Sequence, residues 1–258
     1  MINIGNSTPE KLNKKITAMR EGGKILGNLL KDLKEYVKPG MTGKEIDAWV
    51  RKEIETRGAK VAYDMLDDEF PGAICISVND ELVHGAPKNE PLEKGDKVSF
   101  DLDIYYKGFF TDSAFTMLVG GEGSPAVKKM ISVTESAMWE GIEQVKPGAH
   151  IGDIGAAVEK VMRKGHLGVI ENYIGHGIDE QMHSAPEVPN YGKKGRGYQL
   201  VEGDTICIEP MSCLGKPANY VDKDDNWSVK MKDGSIGCHC EHTVLVTKDG
   251  YEVLTLAD

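Results

Sequence analysis

Apolar side chains at Ile16, Met19, Leu26, Leu29, Leu30, Leu33 and Val37 recur at helical spacing. That periodicity predicts a long amphipathic helix whose stripe faces the core. Thr8-Pro9-Glu10 opens it with proline at the first helical position, and Ser7 and Glu10 have the spacing of a capping box. Lys38-Pro39-Gly40 closes it, and Thr42 with Glu45 caps a second helix that stops near Gly58. The pattern then changes. Residues 73–78 (A-I-C-I-S-V) read as a buried strand, and 97–106 and 109–118 as a hairpin around Lys107-Gly108. Ser124-Pro125 starts a third helix, which Pro147-Gly148 ends, and a fourth runs from about 151 to 164. Strands return at roughly 205–211, 217–221, 227–232 and 236–247.

This order of elements occurs twice. V-K-P-G-M-T-G-K-E-I-D-A-W-V at 37–50 is repeated as V-K-P-G-A-H-I-G-D-I-G-A-A-V at 145–158, with Glu45 matched by Asp153. The same offset lays G-D-K-V-S-F-D (95–101) over G-D-T-I-C-I-E (203–209), so Asp101 falls on Glu209. Two similar supersecondary units follow from the repeat. The segment V-G-G-E-G-S at 119–124 is only a turn before a helix. One domain over 1–258 is therefore expected, with its repeat at about 37–118 and 145–248. The class is α+β, with antiparallel sheets together and helices covering one side.

Charge and composition narrow the function. A net charge of −10 argues against a nucleic-acid surface, which needs clustered cations; Lys11, Lys14, Lys15 and Lys24 form the wet face of a helix. Five cysteines without framework spacing suit a reducing compartment. Cys238 and Cys240 flank His239, but C-x-C with no partner pair is not a zinc knuckle. No apolar run reaches membrane-spanning length, and Met1–Glu10 lacks the regions of a signal peptide. A cytoplasmic protein is expected, and with no sequence resembling a dimer seam, a monomer.

A carboxylate ending an apolar strand in each half is costly unless it is paired or bound to metal. Asp101 and Asp103 share one strand face. A Lys107-Gly108 turn sets Asp103 opposite Asp112 with Asp101 on the diagonal; a turn one residue looser brings Asp101 nearer. Either way two carboxylates lie within roughly 5–8 Å of each other, and the internal match with Glu209 selects Asp101 over Asp103. In the second half, glycines flank His176 in G-H-G-I-D-E-Q-M-H, leaving room for a close approach, and His183 ends that segment. Glu209 and Glu241 lie beside apolar strands, and His84 follows the strand at 73–78. The set Asp101, Asp112, Glu209, Glu241, His84, His176 and His183 spans both halves. Four carboxylates match two divalent cations, and oxygen-rich ligation with imidazole suits Mn, Fe or Co. Paired ions of this kind activate water as a nucleophile. No G-x-S-x-G elbow, P-loop or dinucleotide fingerprint is present.

The motifs S-V-N-x-x-x-x-H-G, D-L-D…T-D, G-H-G-I…H, I-E-P-M and E-H-T resemble the methionine aminopeptidases, pita-bread metallopeptidases of the creatinase/aminopeptidase type, from about residue 10 to the end. Only 25 residues separate His183 from Glu209, which resembles type I rather than the insertion-bearing type II enzymes. The N-terminus also lacks the zinc-finger extension of some eukaryotic type I enzymes. The resemblance implies two divalent ions drawn from Co, Mn, Fe, Zn or Ni. Asp101 and Asp112 would bind one and His176 and Glu209 the other, with Asp112 and Glu241 bridging. It makes Glu241 the general base, and His84 and His183 contacts to the scissile amide. It lines a methionine pocket with Phe70, Cys75, Met182 and Trp227, although the family more often has Phe where Met182 stands. The stretch from Tyr63 through Asp64, Asp67, Asp68 and Glu69 is more acidic than in that family.

The implied activity is removal of initiator methionine from nascent N-termini at the ribosome, with a small second residue preferred. An X-Pro dipeptidase or aminopeptidase P is a rival on the same fold, but those carry an additional N-terminal domain and only some 35 residues precede the repeat here. A non-catalytic peptide-binding module is the rival of another class, and such modules have lost ligands that are intact in this chain.

Overall fold

A computed structural model describes residues 8–66 and 69–258. Ser7 of the expected capping box, and Asp67 and Asp68 of the acidic stretch, lie outside the described residues. The first half comprises α1 (Pro9–Tyr36), α2 (Gly43–Thr56), β1 (Lys60–Val61), β2 (Cys75–Val78), β3 (Glu81–Val83), β4 (Lys97–Tyr106) and β5 (Phe109–Leu118). The second begins with α3 (Pro125–Ile142) and α4 (Ile151–Lys164), followed by β6 (Gly168–Val169), β7 (Gly175–Gly177) and β8 (Ser184–Val188). It continues through β9 (Thr205–Ile208), β10 (Met211–Cys213), β11 (Asn219–Val221) and β12 (Val229–Met231). It closes with β13 (Gly237–His239), β14 (Glu241–Val246) and β15 (Tyr251–Val253).

The repeated sequence motifs encode backbone turns. Glu45 accepts the Thr42 N–H at 2.8 Å at the start of α2, and Asp153 accepts the His150 N–H at 2.8 Å at the start of α4. Each carboxylate thereby satisfies a donor that the helix itself leaves unpaired. Asp96 and Asp204 likewise accept the N–H three residues before them, from Glu93 at 2.7 Å and Val201 at 2.9 Å. Gly40 and Gly148 both sit at positive φ, 92° and 85°, which explains glycine at that step of both copies.

The main sheet runs β1-β4-β5-β14-β9-β7-β8, with β2 also on β4 and β15 on β14. The halves meet at its centre, where β5 pairs antiparallel with β14. Each half has its own apolar core. Leu26, Leu29, Leu33, Ile46, Val50, Phe100 and Leu102 pack in the first, and Met130, Met138, Ile154, Val158, Ile206 and Val244 in the second. Of the predicted α1 stripe, Met19, Leu26, Leu29, Leu30, Leu33 and Val37 are buried.

Three boundaries differ from expectation. α3 ends at Ile142, before Pro147-Gly148, because the N–H groups of Gln144 and Val145 bond three residues back and tighten the chain out of the helix. The stretch 205–211 is two strands, since Pro210 has no N–H to continue the ladder. The stretch 236–247 also breaks, at Cys240. The first break hands the chain from the main sheet to the small sheet β13-β10-β6 and the second hands it back, and they occur where the acidic residues Glu209 and Glu241 stand.

Candidate metal centre

The hairpin register settles which carboxylates face one another. Lys107 and Gly108, with φ of 49° and 100°, form the two-residue turn, so Asp103 pairs with Asp112 and Asp101 with Ala114. Ala114 is also the partner of Glu241 on β14. Asp101 and Glu241 therefore flank one small residue on neighbouring strands. Glu209 directly follows Ile208, the β9 partner of His242. Four strands from both halves thus deliver Asp101, Asp112, Glu209 and Glu241 to one locus.

His176 is oriented for ligation. Its Nδ1 donates to the Gly177 carbonyl at 3.0 Å, leaving the Nε2 lone pair to face Glu209 Oε1 at 3.4 Å and Asp112 Oδ2 at 3.9 Å. The glycines beside it serve the sheet. A Cβ at Gly175 would lie 2.2 Å from the Cys207 carbonyl oxygen, and one at Gly177 would lie 2.2 Å from that of Ala185. The expected close approach is made by neighbouring backbone.

Electrostatics marks the locus as unfinished by protein alone. Burial and the neighbouring negative charges push the Asp103, Asp112 and Glu241 carboxyls well above the ordinary range; burial alone does so for Glu209. Asp101 is raised by burial, with His239 opposing. Asp101 Oδ1, Asp103 Oδ1, Asp112 Oδ1 and Glu241 Oε1 are buried without a hydrogen-bond partner. Ligand atoms of Asp112, His176, Cys207 and Glu241 converge within 4.8 Å, as do those of Glu209, His239 and Glu241, and those of Asp101, Asp103 and Asp112. Orphaned buried oxygens in that number fit divalent cations.

A cleft of about 150 Å³ opens on this cluster, lined by His84, Asp101, Tyr173, His176, His183, Glu209 and His239. The rings of His176 and His183 meet edge to face at 4.3 Å. Burial lowers His176 to about 3 and His84 to about 4, so both imidazoles are neutral near pH 7. His84 is held in the left-handed region, at φ 56°, with its ring edge-on to Tyr173. A non-glycine residue held there is strained backbone at the cleft.

The expected pocket residues fall into two groups. Tyr63 stacks obliquely on Phe70 at 4.5 Å, Phe70 meets Trp227 at 5.4 Å, and the Tyr63 hydroxyl contacts Cys75 Sγ at 3.3 Å. Cys75 is also the strand partner of Asp101, which ties this aromatic wall to the carboxylates. Met182 belongs to the apolar cluster of Phe110 and Ile178, against which Leu66 and Tyr63 also pack. It borders a second depression that His183 also lines.

Sequence reasoning passed over Asp103, Cys207 and His239. Asp103 was legible from the period-two spacing of D-L-D but was set aside for its neighbour. His239 stands two residues before Glu241, the spacing that places side chains on one strand face. Cys207 gave no signal beyond its apolar strand.

The sequence pattern of metallopeptidase family M24 matches residues 17–248, and the chain belongs to that family. It is a peptide-bond hydrolase that uses divalent metal. Within the family, the methionine aminopeptidase of Aquifex aeolicus is 40% identical, over 94% of this chain and 96% of its own. The crystal structure of methionine aminopeptidase from Rickettsia prowazekii superposes with a TM-score of 0.91 at 36% identity, covering 95% and 98% of the two chains. Prolidase from Pyrococcus furiosus shares the pita-bread fold alone, with a TM-score of 0.75 at 22% identity over 98% of this chain and 65% of that one.

Proposed function

We infer that this chain is a metal-dependent aminopeptidase that removes the N-terminal methionine from peptides in the cleft between its two halves. The single domain expected over 1–258 builds that cleft on its internal two-fold relationship. The carrying observation is the convergence of Asp101, Asp112, Glu209 and Glu241 from four strands, with orphaned oxygens and His176 Nε2 turned toward them. Relatives at 35–40% identity are methionine aminopeptidases, whereas the prolidases are similar only in fold, which disfavours the X-Pro reading. Intact donors disfavour a non-catalytic module.

Two cations fit the donor set. Asp101 and Asp112 would hold one, His176 and Glu209 the other, and Asp112 and Glu241 would bridge them. Bound there, divalent cations supply Lewis acidity that polarises the scissile carbonyl and lowers the pKa of water. The protein's own residues do the rest. Glu241 Oε1, without a protein partner, takes the proton of the attacking water and returns it to the leaving amide nitrogen. Neutral His84 can donate an N–H to the oxygen that gains charge, and His183, on the same cleft, holds the scissile amide. Phe70, Cys75 and Trp227 form the wall against which an unbranched thioether packs, and Met182 closes the neighbouring side. A cleft this small favours a small second residue.

Nascent N-termini at the ribosome, met by a monomer in the cytoplasm, are the setting this activity implies; the five buried free thiols suit that compartment. No helix among the described residues is long and apolar enough to cross a membrane. Comparing kcat/KM for Met-Ala-Ser and Ala-Pro-Ala at one metal concentration tests the proposal. Met-Ala-Ser should be preferred, and preference for Ala-Pro-Ala would return the case to the X-Pro peptidases.

A further inference from the structure

His239 has none of the roles assigned above, yet it is the most enclosed imidazole of the cluster. It is 2% exposed, and neither ring nitrogen has a hydrogen-bond partner. Nε2 lies 3.4 Å from Glu209 Oε2 and 3.9 Å from Glu241 Oε2, and Nδ1 lies 3.9 Å from Asp101 Oδ2. The ring cannot swing away easily. Its residue is pinned by Thr116 Oγ1, which donates to the His239 carbonyl at 2.5 Å and accepts its N–H at 3.3 Å, and β13 is paired with β10.

The chemistry of the surroundings is one-sided. A neutral imidazole has one N–H and one lone pair, and ionised carboxylates only accept. While ionised, these carboxylates can serve the N–H on either side of the ring, but none can serve the lone pair. With Nδ1–H toward Asp101, the Nε2 lone pair points at two acceptors, an arrangement that a cation between them resolves. Glu209 stands between two imidazoles, its Oε1 3.4 Å from His176 and its Oε2 3.4 Å from His239.

We propose that His239 Nε2 is a further protein ligand to divalent metal, acting with Glu209 and Glu241. The inference rests on the reading that this cluster holds cations. A second imidazole moves an oxygen-rich donor set toward nitrogen ligation, which favours Co²⁺, Fe²⁺ or Zn²⁺ over Mn²⁺.

The test uses the full chain loaded with Co²⁺. X-ray absorption counts imidazoles around cobalt, and calorimetry gives Co²⁺ and Mn²⁺ affinities for wild type and His239→Gln. With two cations bound, wild type should show about one imidazole per cobalt, falling to about half that in His239→Gln. Co²⁺ affinity should fall roughly 10-fold or more, and Mn²⁺ affinity by less. Half an imidazole per cobalt in wild type would overturn the proposal without any variant, even if His239→Gln failed to fold. Unchanged Co²⁺ affinity in a folded variant would do the same. Normal cation binding alongside either result leaves the five-ligand centre standing, whereas wild type that binds no divalent cation removes that centre and this inference together.

Discussion

Asp103 and Asp112 are direct register partners across β4 and β5, both buried. Burial raises both carboxyls well above their ordinary values, and the charge of Asp101 beside Asp103 and that of Asp103 beside Asp112 add to it. In the unfolded chain such groups titrate near about pH 4. Above that pH the metal-free native state keeps protons that the unfolded chain has released, so its stability falls as pH rises through the raised native values. Metal-free protein should therefore melt at a lower temperature at pH 8 than at pH 5.5. Saturating Mn²⁺ or Co²⁺ should raise the melting temperature more at pH 8, because cations replace those protons. Calorimetric scans at both pH values, with and without metal, check this; a metal-free protein more stable at pH 8 would contradict it.

His84 and His183 should behave differently from the ligands. His183→Ala is expected to lower kcat by about 10²-fold or more, the scale of a lost oxyanion or acid–base group. Its metal content should stay near that of wild type, whereas Glu209→Ala should lose metal. Elemental analysis beside steady-state kinetics separates the two, and metal loss in His183→Ala equal to that in Glu209→Ala would reassign His183.

Much of the fold was legible because the sequence states it twice. The hairpin boundaries, α4 and the Thr42–Glu45 box follow from turn chemistry and periodicity that tertiary packing leaves intact. Of the five expected ligands, Asp101 and Glu209 stand out as charges ending apolar strands, a place with a visible energetic cost, whereas the full set is what the family resemblance implies. The short strands β6, β7 and β8 were not, because two to five residues give too little periodicity to separate a strand from a loop. His239 was missed because its flanking cysteines suggested a zinc motif and drew attention from its spacing to Glu241. Met182 enters as a pocket residue through the family resemblance; its side chain is buried in the cluster around Phe110 and also borders the depression that His183 lines.

The wall formed by Phe70, Cys75 and Trp227 should set first-residue specificity. An apolar slot discriminates by roughly 1–3 kcal/mol per methylene misfit, so Met-Ala-Ser should exceed Leu-Ala-Ser by tens to hundreds of fold in kcat/KM. Phe70→Ala removes the ring that touches both Tyr63 and Trp227. That variant should raise KM for Met-Ala-Ser and narrow the Met-to-Leu ratio with metal content unchanged. A ratio unaffected by Phe70→Ala would place the methionine elsewhere, with the depression beside Met182 next in line.

The central claim is that buried carboxylates from both halves work by holding divalent metal for cleavage after an N-terminal methionine. The most direct measurement is release of free methionine from Met-Ala-Ser by thoroughly demetallated protein, titrated with Mn²⁺, Fe²⁺ or Co²⁺ and paired with acetyl-Met-Ala-Ser as the blocked control. No release without metal, recovery as cations are added, and no cleavage of the acetylated peptide is the expected result. Full activity in the demetallated protein would contradict the claim.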